Sequence, residues 1–284
     1  MIRPPLKHLA LVLSLAALII GSAFPALKLN DVEKNRLKGN VKSMMEIKYA
    51  IPEDGDSNSR EKIVYQKFTV FDENGYETES TLFKNGTEFL ISRLTYVNDS
   101  TPIELNEYHP DGNLNLKVTY KYDDRGFRTE AGYEWAENRQ IGEITDLSDY
   151  YYEIIQNDLF NKVLYKNEYR GYCIQEDYLK PDSSLSFRFT MKYDFRGNKL
   201  ESAYFHGNER LSWISKYKYD RFDNMIESRV YKSNRIAVES SYKYRFDLIG
   251  NWVYRYENRK VYVNILTAGL DRENTVTERQ IEYY

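Results

Sequence analysis

The chain has very few of the residues that build metal centres and nucleophilic sites. It contains one cysteine, Cys173, and three histidines in 284 residues. A single cysteine excludes an internal disulfide framework. No His-x-x-x-His, Cys-x-x-Cys, Gly-x-Ser-x-Gly or phosphate-binding glycine loop occurs. We therefore expect no metal and no cofactor. We interpret Cys173 as a small buried strand residue, and His109 and His206 as exposed turn residues.

A strong charge of one sign is also missing. The formal net charge is −3, with 40 Lys and Arg against 43 Asp and Glu. The first 23 residues carry only two charged residues, Arg3 and Lys7, so their removal makes the chain slightly more acidic. A mildly acidic chain of mixed sign does not favour a nucleic-acid partner.

The sequence has a single long apolar run, Leu9 to Ile20. Twelve residues are too few to span a bilayer comfortably, and small residues follow at positions 21–23, so we predict a secretory signal peptide over residues 1–23. Cleavage would leave a mature chain without a transmembrane span in the periplasm or at the cell surface. An uncleaved membrane anchor is the alternative. No cysteine follows the run, which argues against a lipoprotein.

Aromatic residues are abundant, with 27 Tyr, 13 Phe and 3 Trp, and many of them precede a recurring turn. The string aromatic-Asp-x-x-Gly-Asn, or a near copy, returns about every 26 residues, which is typical of a repeat architecture. Asp accepts a backbone hydrogen bond within such a turn, and Gly adopts positive φ readily. The predicted structural turn residues are Asp72, Gly75, Asp123, Gly126, Asp194, Gly197, Asp220, Asp223, Asp247 and Gly250.

A second turn class lies about 13 residues after the first, as in Asn85-Gly86 and Ser233-Asn234. The segments between turns alternate apolar and polar residues, as antiparallel strands do. In the segment Ile236 to Tyr244, for example, one face carries Val238 and Tyr242. Each repeat is therefore predicted to be two antiparallel strands.

The repeat predicts an all-β fold, an antiparallel meander of hairpins in one strongly curled or coiled sheet. About 245 residues at about 13 per strand give on the order of 18 strands, more than an open twisted sheet holds. We expect the Tyr-rich face to line a shared interior, and whether the sheet closes stays open. Residues 24–39 form an N-terminal segment with one short helix starting at Asn30 or Asp31. Residues 40–284 form a single repeat domain, irregular over 131–185.

The turn signature resembles the YD repeats of Rhs-type bacterial surface proteins. The closing stretch, Gly250-Asn251-Trp252 followed by residues 277–284, resembles the end of uncharacterised exported proteins of Bacteroidetes, which also open with a segment like Leu37 to Ser43. The resemblance implies a hairpin sheet that wraps into a shell, and it implies no activity. The chain is too short for a complete Rhs cocoon and has no C-terminal toxin region.

Exposed aromatic residues in the irregular region are the predicted ligand-binding residues, because loops often carry function. These residues are Trp135, Tyr150, Tyr151 and Tyr152. We expect Trp213 in the core and Trp252 packed on a neighbouring strand. The acids that no turn explains are candidates for a glycosidase pair, namely Asp146, Asp149, Glu153 and Asp158. Residues 54–58 match the start of an EF-hand loop, but Ser59 and Tyr65 occupy its glycine and glutamate positions, so we expect an ordinary loop.

Three functions remain open. The first is an exported, non-enzymatic binding or scaffold module whose partner is a glycan or an envelope protein. The second is a carbohydrate-active enzyme that uses carboxylates of residues 131–185. The third is a structural subunit of a surface assembly, joined through exposed sheet edges.

Overall fold

The computed structural model describes residues 30–52, 58–98, 100–136, 160–207, 210–264 and 269–284. Over these ranges it is almost entirely β, with a single four-residue helix α1 (Asp31–Lys34). The strands are β1 (Val41–Ala50), β2 (Lys62–Phe71), β3 (Glu77–Lys84), β4 (Thr87–Val97), β5 (Thr101–Tyr108), β6 (Leu114–Tyr122), β7 (Arg128–Trp135), β8 (Lys162–Asn167), β9 (Cys173–Leu179), β10 (Leu185–Tyr193), β11 (Lys199–His206), β12 (Arg210–Tyr219), β13 (Met225–Lys232), β14 (Arg235–Phe246), β15 (Trp252–Asn264), β16 (Gly269–Arg272) and β17 (Thr275–Tyr283).

The strands form one antiparallel sheet that closes on itself. Each strand from β1 to β15 pairs with the next along the chain, β15 also pairs with β17, and β17 pairs with β1. The short strand β16 pairs with β15 beside this ring of sixteen strands. The predicted all-β meander is confirmed, and the question of closure is answered: the curled sheet meets itself through the nine-residue register of β1 and β17, from Val41↔Tyr283 to Ala50↔Thr275.

The Asp turns have the predicted geometry. In the β2–β3 turn the N–H of Gly75 donates to the carbonyl of Asp72 at 2.9 Å. The Asp72 carboxylate accepts from the N–H groups of Asn74 and Tyr76, both at 2.9 Å. Gly75 has φ +82°, and at the corresponding position of the β12–β13 turn Asp223 adopts φ +66°. A one-residue register shift precedes each such turn, as between Val70 and Phe71.

All the predicted Asp turns lie at the same end of the closed sheet, because a period of two strands brings the chain back to the same side. We call this the Asp-turn end. The opposite end includes turns of the second class, such as Asn85-Gly86, where both residues have positive φ.

The N-terminal segment, residues 30–40, covers the Asp-turn end. Asn30 caps α1 with a capping box that includes Glu33, as the sequence predicts for a helix starting there. The N–H of Val32 donates to the carbonyl of Gly75 at 2.9 Å. Val32 and Leu37 are buried against Phe71 and neighbouring residues of the inner face. The end of the sheet is therefore closed by a separate piece of chain.

The main core lies on the inner face of the sheet, as expected. Trp213 is 5% exposed and stacks on Tyr204 with ring centroids 4.0 Å apart, so its predicted core position is confirmed. Around them lie mostly aliphatic and aromatic side chains from many strands: Leu116, Val118, Ala131, Phe160, Val163, Cys173, Tyr178, Phe187, Phe189, Met191, Val230, Ala237, Val238 and Val261.

Three predictions differ in detail from the structure. In the described part of the region 131–185, β8, β9 and the turn at Glu168–Tyr172 are regular parts of the meander, whereas residues 137–159 lie outside the described ranges. His109 lies in a turn, as predicted, but is half-buried. His206 is exposed, as predicted, but is the last residue of β11.

Candidate functional site

The inner face carries ionised side chains as well as the expected aromatic ones. On β15 the residues Arg255, Glu257 and Arg259 share the face of Val261, which belongs to the main core. Strand β17 pairs with both β1 and β15, and the residue register of these two pairings puts Lys48 and Glu46 of β1 on the same face. We define the inner charged cluster as the residues Glu46, Lys48, Arg255, Glu257, Arg259, Glu273 and Arg279.

Glu257 is the best-connected acid of the cluster and is 3% exposed. Its carboxylate accepts from Ser240 Oγ at 2.9 Å and lies 3.5 Å from Lys48 Nζ. Although burial opposes ionisation, Lys48, Arg259 and Arg255 lower the pKa of Glu257 to about 2. Burial also lowers the pKa of Lys48, against the attraction of Glu257. Glu257 is therefore ionised at all ordinary pH values.

A second pair of the cluster is stacked on an indole ring. Arg279 Nε donates to Glu46 Oε2 at 2.7 Å, and its guanidinium lies 3.5 Å from the ring centroid of Trp252. The guanidinium of Arg255 lies over the same ring at 5.0 Å. Trp252 thus packs on neighbouring strands, as expected, and it holds two cations by cation–π contact.

Arg255 has a buried donor without an acceptor among the described residues. Its Nη2 donates to Thr277 Oγ1 at 3.3 Å, whereas its Nε is buried and has no hydrogen-bond partner in the described part of the chain. The Arg255 side chain is half-buried, while Glu257 and Arg259 beside it are buried. An unsatisfied guanidinium N–H costs free energy unless a water or ligand oxygen accepts from it.

The cluster has an excess of positive charge. It contains four basic residues, Lys48, Arg255, Arg259 and Arg279, and three acids. Nearby Glu46 is held ionised, because Arg279 and then Arg255 lower its pKa in spite of burial. With both buried pairs formed, the uncompensated charge suits an anion rather than a cation.

A second polar group lies across the inner face on β6 to β9. The Arg128 guanidinium lies 4.0 Å from the Tyr120 ring centroid and 5.7 Å from that of Tyr165. Glu176 is 1% exposed and accepts from Tyr178 OH at 3.1 Å. Burial raises the pKa of Glu176 to about 7, and Lys199, Tyr178 and Arg128 only partly offset it. This acid changes charge near neutral pH.

The structure describes only one of the four ligand-binding residues predicted from sequence. Trp135 ends β7 opposite Leu116 and packs, half-buried, against the main core. Tyr150, Tyr151 and Tyr152 lie outside the described residues, so their role as ligand contacts stays a prediction.

The candidate acids and the EF-hand-like loop are tested only in part. Asp146, Asp149, Glu153 and Asp158 lie outside the described residues, as do residues 54–57. Among the residues that are described, no group of three or more His, Cys, Asp or Glu side chains is placed to hold a metal ion. Cys173 is 0% exposed at the start of β9, which confirms the buried strand interpretation, and burial raises the pKa of its thiol.

Sequence reasoning missed the inner charged cluster. Alternation with the inward Arg255 and Glu257 puts Tyr254 and Tyr256 on the outer face, where they pack with Ile51 and Val276. The signal that was available is the strict alternation Arg255, Glu257, Arg259, which places three ionisable residues on one face.

Comparisons with known proteins give a fold and no family. No protein-family model matches the sequence, and no curated protein matches it. A porin-like protein from Bacteroides uniformis has a similar structure, with a TM-score of 0.55 and 10% identity over 86% of this chain and 99% of that one. At this identity the likeness shows a shared fold alone.

Two other solved structures match more weakly. TcdB2-TccC3 has a TM-score of 0.32 and 10% identity, covering 71% of this chain but 14% of that chain. A putative outer membrane lipoprotein-sorting protein domain from Vibrio parahaemolyticus has a TM-score of 0.19 and 12% identity, covering 86% of each chain. With TM-scores this low, neither match supports a conclusion about this chain. Within the described ranges, no helix has the length and apolar character needed to cross a membrane.

Proposed function

We propose that the chain is an exported, non-enzymatic binding module of the cell envelope that takes an anionic ligand, such as an acidic glycan or a small carboxylate, at the inner charged cluster. The proposal rests on the buried Nε of Arg255, which has no acceptor among the described residues. The predicted signal peptide and the porin-like neighbour favour the envelope as its location.

The geometry of the cluster fits recognition of an oxyanion. Trp252 fixes the guanidinium planes of Arg255 and Arg279, which reduces the entropy lost when they bind. The neighbouring acids Glu46 and Glu257 already have cationic partners, so they do not neutralise Arg255 fully.

The test is a screen of acidic and neutral glycans and of mono- and dicarboxylates. Arg255→Gln should abolish binding of the acidic hit. Arg245→Gln is the matched control, because Arg245 pairs with Tyr254 on the opposite face and also stacks on an aromatic ring, at 3.7 Å. Equal binding by both variants, or a screen without any hit, would contradict the proposal. Trp135→Ala in the same screen tests the site predicted from sequence.

A carbohydrate-active enzyme remains the second candidate, because of Glu176. A buried carboxyl with a pKa near 7 is suited to donate a proton. If the chain hydrolyses a glycan of the screen, Glu176→Gln should abolish turnover without abolishing binding. The remaining candidate, a structural subunit joined through sheet edges, is less favoured because the pairing of β1 with β17 leaves the main ring without a free edge.

A further inference from the structure

A strip of uncharged hydroxyl groups continues the inner charged cluster across the inner face of the sheet. It lies on β11 to β14, on the same face as Tyr204, Trp213 and Val238 of the main core. We call this set the hydroxyl row: Ser202, Ser215, Tyr217, Ser228, Ser240 and Tyr242. Hydroxyl groups on an inner face cost free energy unless each of them finds a hydrogen-bond partner.

Two hydroxyl pairs repeat along the row with the same spacing. Ser202 Oγ and Tyr217 OH are 3.1 Å apart, and so are Ser228 Oγ and Tyr242 OH one repeat later. Tyr242 OH also donates to Glu257 Oε1 at 3.4 Å. In the second pair both hydroxyls can therefore donate, Ser228 to Tyr242 and Tyr242 to Glu257, which connects the row to the cluster.

The other end of the row has donors that the described residues do not use. Ser202 and Tyr217 share one hydrogen bond, so one of their two O–H groups has no acceptor within the described ranges. Ser215 is 1% exposed, and its Oγ makes no hydrogen bond to any described residue. Ser215 lies directly opposite Ser202, where Cβ atoms are about 5 Å apart. The Ser202 oxygen can thus accept from Ser215 once the Ser202 proton is donated to a ligand.

The row is accessible at the end with these unused donors. Ser202, Tyr217 and Ser228 are half-buried, whereas Trp213 and Val230 on the same face are each 5% exposed. The polar part of the inner face is therefore more open than the apolar part beside it. Binding sites for small molecules combine a few placed polar groups with apolar walls in this way.

The hydroxyls belong to this side of the sheet and are not required by the repeat. Five residues before the turn aspartate, β12 has Ser215, whereas β6 has Val118, a residue of the main core. On the strands that follow these turns, Ser228 of β13 and Ala131 of β7 each lie opposite a tyrosine of the preceding strand. The same hairpin thus forms without either serine, so folding alone does not explain the row.

We propose that the hydroxyl row and Arg255 bind one ligand, an acidic oligosaccharide whose carboxylate contacts Arg255 and whose neutral sugars lie along the row. The inference rests on the proposed function of the inner charged cluster and narrows its class of ligand. Tyr217 on β12 and Arg255 on β15 are three strand spacings apart, about 14 Å, which is longer than one sugar ring and suits two or three linked sugars. A small carboxylate would contact Arg255 and leave the row unused.

The test compares three probes that share one acid: glucuronic acid, glucuronyl-xylose and glucuronyl-xylobiose. Their affinities for the full chain are measured by isothermal titration calorimetry. The acid alone contacts Arg255, and each added xylose brings hydroxyls that can donate to and accept from the row. We expect the trisaccharide to bind about tenfold more tightly than glucuronic acid, because each neutral hydrogen bond contributes modestly to affinity.

Single-oxygen variants locate this gain. Tyr217→Phe and Ser228→Ala should each weaken binding of the trisaccharide about threefold and leave the affinity for glucuronic acid unchanged, which also shows that the variants are folded. Tyr231→Phe and Ser241→Ala are the matched controls. Tyr231 lies on the outer face, where its ring centroid is 5.5 Å from Lys216 Nζ, and Ser241 is exposed. Both controls should bind all three probes like the wild type.

The outcomes separate this inference from the proposed function. If Arg255→Gln abolishes binding of glucuronic acid but the trisaccharide binds the wild type no more tightly than the acid does, the anion site stands and the inference is overturned. An equal loss of affinity for all three probes in Tyr217→Phe would indicate a structural role for the row and would also overturn it. If no probe binds the wild type, the proposed function fails and the inference fails with it.

Discussion

Glu176 makes the stability of this protein depend on pH in an unusual direction. Burial raises the pKa of this carboxyl from 4.5 to about 7 in the folded chain. The native state therefore binds the proton more tightly than the unfolded state does. The contribution of Glu176 to the free energy of unfolding is then largest below about pH 4.5, falls as pH rises toward 7, and levels off above that value.

The size of the effect follows from the pKa difference. Ionisation of Glu176 costs the folded state about 0.8 kcal/mol at pH 5 and about 3.4 kcal/mol at pH 8, a change of about 2.5 kcal/mol. Glu176→Gln keeps an acceptor for Tyr178 OH and does not ionise. The free energy of unfolding of the variant, relative to that of the wild type, should therefore increase by about 2.5 kcal/mol as pH rises from 5 to 8.

Urea unfolding at pH 5, 6, 7 and 8 measures this difference directly. Glu88→Gln is the control, because it removes the same charge from an exposed position on β4. Its difference from the wild type should stay constant over this range. If the Glu176→Gln curve ran parallel to the wild type as well, burial would not hold the proton on Glu176 and the reasoning would be refuted.

Two further predictions concern the cluster and the turns. Lys48→Met removes the nearest cation of Glu257 and should lower the free energy of unfolding by about 3 kcal/mol at pH 7. Because the pKa of Glu257 is about 2, the difference between the variant and the wild type in urea unfolding should shrink as pH falls from about 4.5 toward 2. Gly197→Ala should lower the melting temperature more than Gly86→Ala does, although both have positive φ, because an added Cβ meets Tyr172 Oη at 2.5 Å at Gly197 and nothing within 4 Å at Gly86. A Lys48→Met loss that is the same at low and neutral pH, or equal falls in melting temperature for Gly197→Ala and Gly86→Ala, would contradict the stated causes.

Local chemistry made the turns predictable. Asp and Gly at fixed spacing, as at Asp72 and Gly75, specify one turn conformation without help from the rest of the fold. A period of two strands then implied the single antiparallel sheet and the common end of all such turns. The predicted number, on the order of 18 strands, is close to the 17 strands of the described sheet.

The charged interior was not predictable in the same way. Both faces of β15 carry bulky residues, and a one-residue shift between Trp252 and Tyr254 changes which of these residues point inward. The outer Tyr254 is 8% exposed because Ile51 and Arg60 approach it from the segment after β1. Contacts between segments far apart in the chain, which alternation does not encode, hide this aromatic face from solvent.

The most direct test of ligand binding at the inner charged cluster is the fluorescence of Trp252 during titration with the best acidic compound of the screen. The indole lies under both Arg279 and Arg255, so an anion that draws Arg255 away must change its emission. We expect a saturable change that Arg255→Gln abolishes and Arg245→Gln preserves. A change that persists in Arg255→Gln, or no change at saturating ligand, would contradict the assignment of the site.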